Sequence, residues 1–399
     1  MKLLALVSAL DLRYRLSSTP HWWQLLKGLS RQGADVIAVP YHGPAVESLH
    51  WRVYENPCRL EGETFYQLRG LVRRVLPAPS GRPRDAHTAE RLSDNLVRRL
   101  AHAYVQPRWS RAVRNIFRKE KGIGAVIVFN LPLNHVVGLA REIQTRFGVP
   151  VWYYDGDLPA SFPEFGGFAT GFRTHEGTNF AEYDGFFVNS EGSIPRMREL
   201  GARRVEAVHW GADLDVYRPL EREQDLDAFF YGYGEQYRER WLEAMIYGPS
   251  RKLDRAVFAI GGLGLGSAPD SVRQLGDVPF SRFNEMCARA KVNLIVTRQA
   301  HASVPGSSSA RPFELGAMGV AAVTNPWAGV ERWFEPGKEI LIVNDEDEAM
   351  ACYGELWADP GRRKALGQAM RRRVERDHTY EHRAGQILDL LGLPHRKGP

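Results

Sequence analysis

The chain has 399 residues, 44% of them hydrophobic and 25% charged, with a formal net charge of +6. That length suits two domains of about 150–200 residues each, and the composition is that of a folded enzyme rather than a disordered or fibrous chain. The positive balance is mild and its arginines are scattered, which suits anionic small molecules and argues against nucleic-acid binding.

Three cysteines, Cys58, Cys287 and Cys352, lie far apart with no CxxC spacing. They read as reduced thiols of a cytoplasmic protein and not as metal ligands. No apolar run approaches the roughly 18 residues of a membrane span, so no integral span is expected. Met1–Leu10 runs straight into Asp11, Arg13 and Arg15 and reads as a strand rather than a signal sequence.

Lys2–Ala9 predicts the first strand. Thr19 and Pro20 then open a helix to Gly33, threonine as N-cap and proline at the first position, with Trp22, Trp23, Leu25, Leu26 and Leu29 on its apolar face. His21 at its start is either a polar cleft residue or a capping and packing one. Ala34–Pro40 predicts the second strand, so strand, helix and strand open a doubly wound domain. Residues 51–84 are broken by Pro57, Pro77, Pro79 and Pro83. The basic segment Arg69–Arg84 is a solvated run or a loop that meets an acceptor or a membrane surface. Residues 86–121 are helical in composition, interrupted near Pro107.

A strand over 125–130, a helix over 136–147 and a strand over 150–154 follow, the last ending in Asp155-Gly156-Asp157. Carboxylates at a strand C-terminus stand where active-site residues of parallel sheets collect. Asp155 and Asp157 orient an acceptor hydroxyl or act as general base, or they form an Asx turn. The aromatic loop Phe162–Phe168 stacks on a sugar face or plugs the fold. Strands over 183–188 and 203–210 complete the first half.

The second half opens with Leu226–Tyr231 and the glycine-rich Gly232-Tyr233-Gly234 before a helix over 238–246. Such a turn lets the backbone approach a phosphate. A strand over 256–260, a helix over 283–290 and a strand over 294–297 lead to a polar loop, 298–310. Its Arg298, His301, Ser307, Ser308 and Ser309, with Arg311 at the start of the next helix, form an anion cradle or an ordinary solvated loop. Strands over 320–324 and 340–343 and three further helices close the chain.

Arg311-Pro-Phe-Glu-Leu-Gly-Ala-Met-Gly319, followed by Phe334-Glu-Pro-Gly-Lys-Glu339, resembles the nucleotide-sugar site of GT-B glycosyltransferases. The likeness is greatest to the family-four type and its spore-maturation-protein-like relatives. It implies an α/β fold of two doubly wound Rossmann-like domains facing a cleft: residues 1–215 for the acceptor, 216–375 for the nucleotide-sugar, and a C-terminal helix in 376–399 packing back on the first. The crossover, marked in the family by G-x-D and Arg-Pro pairs, falls near Leu214–Glu223.

The resemblance makes Glu314 the residue that accepts hydrogen bonds from the ribose diol. It makes Arg238 the diphosphate contact, beside Gly232, Gly234, Arg298, His301, Ser307, Ser308 and Arg311. Many family-four enzymes carry a second glutamate eight positions earlier, where this chain has Gly306. The activity implied is metal-independent glycosyl transfer to a hydroxyl or amine. Asp155, Asp157 and Arg238 would be catalytic, and the nucleotide-sugar would be substrate, with no further cofactor. Asp155-Gly156-Asp157 matches the Asp-x-Asp letters of metal-dependent GT-A enzymes, a match that a GT-B chain makes accidental. The alternatives are a silent nucleotide- or partner-binding scaffold, or a sugar-nucleotide epimerase or phosphorylase of the same fold.

Overall fold

A computed structural model describes residues 1–12, 20–60, 92–165, 175–234, 238–266 and 268–396. The expectations for Thr19, for Arg69–Arg84 and for 166–168 lie outside them.

The first sheet holds β1 (Lys2–Ala9), β2 (Asp35–His42), β3 (Trp51–Val53), β4 (Ile123–Phe129), β5 (Val151–Asp155), β6 (Gly185–Val188) and β7 (Val205–Ala207). Their order is β3-β2-β1-β4-β5-β6-β7, and every pairing is parallel, with Val7 between Pro40 and Phe129. The second holds β8 (Leu226–Tyr231), β9 (Phe258–Gly261), β10 (Val272–Gln274), β11 (Ala290–Ile295), β12 (Ala322–Thr324) and β13 (Leu341–Ile342), ordered β10-β9-β8-β11-β12-β13 and likewise parallel. β1 reads LLALVSA after its first residue, all buried, as a strand covered by helices on both faces must be.

In each sheet the strand order reverses once, between β1 and β4 and between β8 and β11. Chains leaving such a pair diverge to opposite faces and open a crevice beyond the strand C-termini, where ligands of this architecture bind.

Four elements depart from the expectations. The helix Leu92–Lys119 runs unbroken through Pro107. Buried Trp109, Val113, Ile116 and Phe117 hold it on the first sheet, and that packing outweighs the hydrogen bond a proline removes. The polar loop 298–310 contains the helix Gln299–Ser303. Strands β3 and β10, three residues each at sheet edges, are too short to leave a period-two signal.

One apolar cluster crosses from the first domain to the second, through Trp22, Tyr154 and Trp210 to Tyr217, Phe313 and Tyr380. The last helix, Tyr380–Leu390, lies on the helix Pro20–Arg31, where Arg31 Nη1 donates to Glu381 at 2.8 Å. Thr379 caps it and its backbone bridges Ala212. Among the described residues no helix is long and apolar enough to cross a membrane.

Candidate functional site

The two switch points face one another. From the second sheet, β8 ends in Tyr231-Gly232-Tyr233-Gly234 and β11 runs on to Thr297 and Arg298. Arg238 ties these loops together: its Nε donates to Val296 O at 2.8 Å and its Nη1 to Tyr233 O at 2.6 Å. Burial, with Arg298 and Arg311 nearby, lowers its pKa to about 9. The Arg298 guanidinium is half-buried and makes no hydrogen bond among the described residues. Its pKa is lowered by burial, and Asp157 opposes that shift from the other domain.

Arg311, in the first turn of the helix Ala310–Met318, lies over the Phe283 ring at 4.2 Å and the Tyr231 ring at 5.4 Å. Close by, Thr297 Oγ1 and His301 Nδ1 are buried without a hydrogen-bond partner among the described residues. His301 is held neutral, its pKa pushed down to about 3 by burial and by Arg298 and Arg238. Positive charge and unmatched polar atoms thus converge beyond β8 and β11, with more cation than the carboxylates among the described residues neutralise. A diphosphate is the anion that such a cluster satisfies.

From the first sheet, β5 delivers Asp155-Gly156-Asp157. Asp155 does form the Asx turn: its Oδ1 accepts from Asp157 N at 2.9 Å, and its Oδ2 lies 3.1 Å from His175 Nε2. It is buried and fully occupied. Asp157 is the more available carboxylate. Its Oδ2 accepts from Asn130 Nδ2, which stands just past β4, at 3.1 Å. Burial and Asp155 raise its pKa, against the pull of Arg298. Asp157 and Arg298 therefore look at each other across the cleft.

Several expected donor contacts are engaged elsewhere. Ser307 and Ser308 sit in the seam between the domains: Ser307 Oγ bonds Ser190 Oγ at 2.7 Å, and Ser308 Oγ bonds His209 Nδ1 at 3.1 Å. Ser308 N donates to Asn189 O at 2.9 Å, and Asn189 Nδ2 to Ser308 O at 3.1 Å. Their hydroxyls are buried and hydrogen-bonded within the seam.

Gly306 has φ +65°, and a Cβ there would fall 2.9 Å from Glu191 Cβ of the first domain. No glutamate fits at that position, because Glu191 fills the space and pairs with Arg332. Gly232 and Gly234 lie where two loops pack closely. A Cβ on Gly234 would meet Gly264 O at 2.2 Å, and the two loops run backbone to backbone through Gly232 N to Gly261 O and Gly234 N to Leu263 O.

Glu314 is likewise buried and committed. Its Oε1 accepts from Tyr217 of the crossover at 2.8 Å, and its Oε2 from Arg311 Nη1 at 2.6 Å. His21, whose ring lies tilted against Trp210 at 4.8 Å, brings Nδ1 within 3.9 Å of Glu314. Burial lowers the pKa of His21. Tyr217, Asn130 and His175 escaped the sequence reading. Tyr217 sits in the crossover before Arg218-Pro219, and nothing in its own surroundings marks it. Among the described residues no three His, Cys, Asp or Glu side chains converge to hold a metal.

Residues 236–389 match the family model described as glycosyl transferase-like. No curated protein matches the chain. Over nearly its whole length it superposes on sucrose-phosphate synthase from Thermosynechococcus elongatus, with a TM-score of 0.62, 14% identity and 98% of both chains covered. Trehalose-6-phosphate synthase OtsA gives 0.63 at 12% identity, over 99% of this chain and 100% of that one. Anabaena HepE in complex with UDP and glucose gives 0.59 at 12%, over 98% and 99%. The chain therefore has the GT-B fold, with a glycosyl transferase-like segment over residues 236–389.

Proposed function

We propose that the protein is a glycosyltransferase that takes a sugar from a nucleoside diphosphate sugar, bound on the second domain, and passes it to a hydroxyl or amine held by the first. The observation that carries this reading is the Arg238–Arg298 pair at the β8/β11 switch point, facing Asp157 across the cleft. As the bond to the anomeric carbon breaks, charge builds on the departing diphosphate. Guanidinium groups already fixed in place stabilise it without reorganising. Arg238 is fixed by its two carbonyl partners, and Arg311 by Glu314 and the rings beneath it. The chemistry proposed needs no metal, since these cations meet the leaving charge.

Asp157 takes the acceptor proton or orients the acceptor. Burial and the neighbouring Asp155 raise its pKa, which makes it a stronger base than a solvated carboxylate. Asp155 and His175 position it through the turn. Glu314 keeps free lone pairs for a ribose diol but serves first as the anchor of Arg311 and Tyr217. The narrower likeness to family-four and spore-maturation-protein-like enzymes is supported by Arg311, Phe313, Glu314 and the 334–339 run.

The test is a thermal-shift screen with UDP, GDP, TDP and ADP and their sugars, UDP first because HepE was crystallised with it. A ligand held at about 100 times its Kd stabilises the fold by about 2.7 kcal/mol. One diphosphate is expected to stabilise the wild type and to lose that effect in Arg238→Ala and Arg298→Ala, and its sugar should then show slow release of free sugar to water. No stabilisation by any diphosphate, with the protein folded, sinks the proposal.

A further inference from the structure

The helix Leu92–Lys119 presents a surface that the transfer chemistry does not use. Between residues 99 and 119 it carries Arg99, Arg108, Arg111, Arg114, Arg118 and Lys119, and no aspartate or glutamate. Arg114 turns inward, to Glu142 at 2.7 Å, and Lys119 lies over the Tyr54 ring at 6.0 Å. At 3.6 residues per turn, Leu100, Tyr104, Pro107, Arg111, Asn115 and Arg118 fall on one stripe, and all six are exposed. Leu100 and Tyr104 are 46% and 61% exposed, and Arg99, Arg111 and Arg118 have no ion pair among the described residues.

The stripe is also placed to reach outward. Trp109 stacks on Tyr41, near the C-terminal end of β2, at 5.8 Å. The helix then leads down into β4, so residues 99–108 extend roughly 15 Å beyond that level, on the cleft side of the sheet.

We infer that this stripe docks on an anionic lipid surface. A cationic face without carboxylates is complementary to acidic headgroups. The exposed leucine and tyrosine at its outer end supply what a nucleic acid or acidic protein does not require, an apolar pair to enter the headgroup boundary. Arginine stems lie along that boundary while their charge stays in water. Charge alone or two apolar side chains alone would hold weakly; the stripe has both. The surface is independent of the donor site, so either can fail without the other.

The test is flotation of the full chain with vesicles of phosphatidylcholine alone and of phosphatidylcholine rich in phosphatidylglycerol, at low and high salt. The protein should float only with the anionic vesicles, and less at high salt. Arg111→Glu with Arg118→Glu should lower partitioning at least about 25-fold. Leu100→Ser with Tyr104→Ser should weaken it and make the remainder fully salt-labile. Lys364→Glu with Arg372→Glu, exposed on the helix Pro360–Asp377 of the other domain, should change nothing. All these variants alter exposed side chains and should melt as the wild type does. The inference is overturned if the wild type does not float with anionic vesicles, or if the 364/372 variant loses as much as the 111/118 variant. It is equally overturned if Leu100→Ser with Tyr104→Ser has no effect while single-stranded RNA displaces the protein, since the stripe is then a general polyanion site.

Discussion

Glu314 offers the sharpest separation of a structural role from a ligand role. Replacing it with alanine removes the acceptor of a fully buried tyrosine hydroxyl and the anion that holds Arg311 over Phe283. A buried hydroxyl left unmatched costs about 1–3 kcal/mol, and breaking a buried charged pair from one side costs about 3–5 kcal/mol. The two share one carboxylate and do not add, so about 4 kcal/mol is the expected loss. That is a large part of the 5–15 kcal/mol by which domains are stable. At about 2–4 °C per kcal/mol for a domain of this size, Glu314→Ala should melt roughly 10 °C below the wild type.

Glu314→Gln keeps an acceptor for Tyr217 and should lose about half as much, and Tyr217→Phe about 1 kcal/mol. Thermal and urea melts of all three, with and without the stabilising diphosphate, give the comparison. If Glu314→Ala melts within about 1 °C of the wild type, the argument from Tyr217 and Arg311 is wrong, because the local network then carries no net energy. If Glu314→Gln, measured where it is folded, loses ligand stabilisation completely, the ribose role stands above the structural one.

Arg298→Ala should act in the opposite sense. Removing a half-buried guanidinium with no hydrogen bond among the described residues should leave the melting temperature equal or higher, while diphosphate stabilisation disappears; a marked loss of stability would show that Arg298 is structural. Burial holds His42, His135 and His209 down to a pKa of about 4 and His301 and His378 to about 3. These imidazoles are neutral in the fold and protonate near pH 6.5 when it opens, so their contribution is whole above pH 6.5 and falls away from there toward pH 4. Melting curves across that window should drop steeply, and a flat profile would falsify the burial argument. Gly234→Ala drives a Cβ to 2.2 Å from Gly264 O and 2.4 Å from Leu265 Cα, which should cost about 1–3 kcal/mol and part the two loops. A wild-type melt would refute that close approach. Asp157→Asn keeps an oxygen for Asn130 and should slow transfer about 100-fold or more with diphosphate binding unchanged; equal rates would remove Asp157 from the chemistry.

The periodicities located the long elements because buried parallel strands are nearly pure runs of apolar residues. LLALVSA of β1 and AVIVF of β4 admit no other reading. What they could not carry was any fact requiring two distant segments. Ser307 and Ser308 look like a phosphate cradle because three serines before a helix offer hydroxyls and amides. Their partners, Ser190, Asn189 and His209, lie about a hundred residues away. Glu191 filling the space beside Gly306 is the same kind of fact. Glu314 was found by its motif, but the Tyr217 hydroxyl that engages it comes from the crossover, 97 positions earlier.

The distinction has a physical basis that orders the candidate residues. A buried neutral hydroxyl costs little once it finds any partner, so serines in a polar loop are readily absorbed wherever two domains meet. A guanidinium is not absorbed so easily. Its charge loses hydration on burial, and only an anion or several carbonyls compensate it. Arg238 has found two carbonyls, Arg311 a carboxylate and two rings, and Arg298, among the described residues, only the fields of Asp157 and Tyr233. Arg298 and Arg311 both lower the pKa of Arg238, a repulsion that raises the free energy of the unliganded fold and that a bound diphosphate recovers. The residue least reconciled with the rest of the protein is therefore the one on which binding should depend most, and that residue is Arg298.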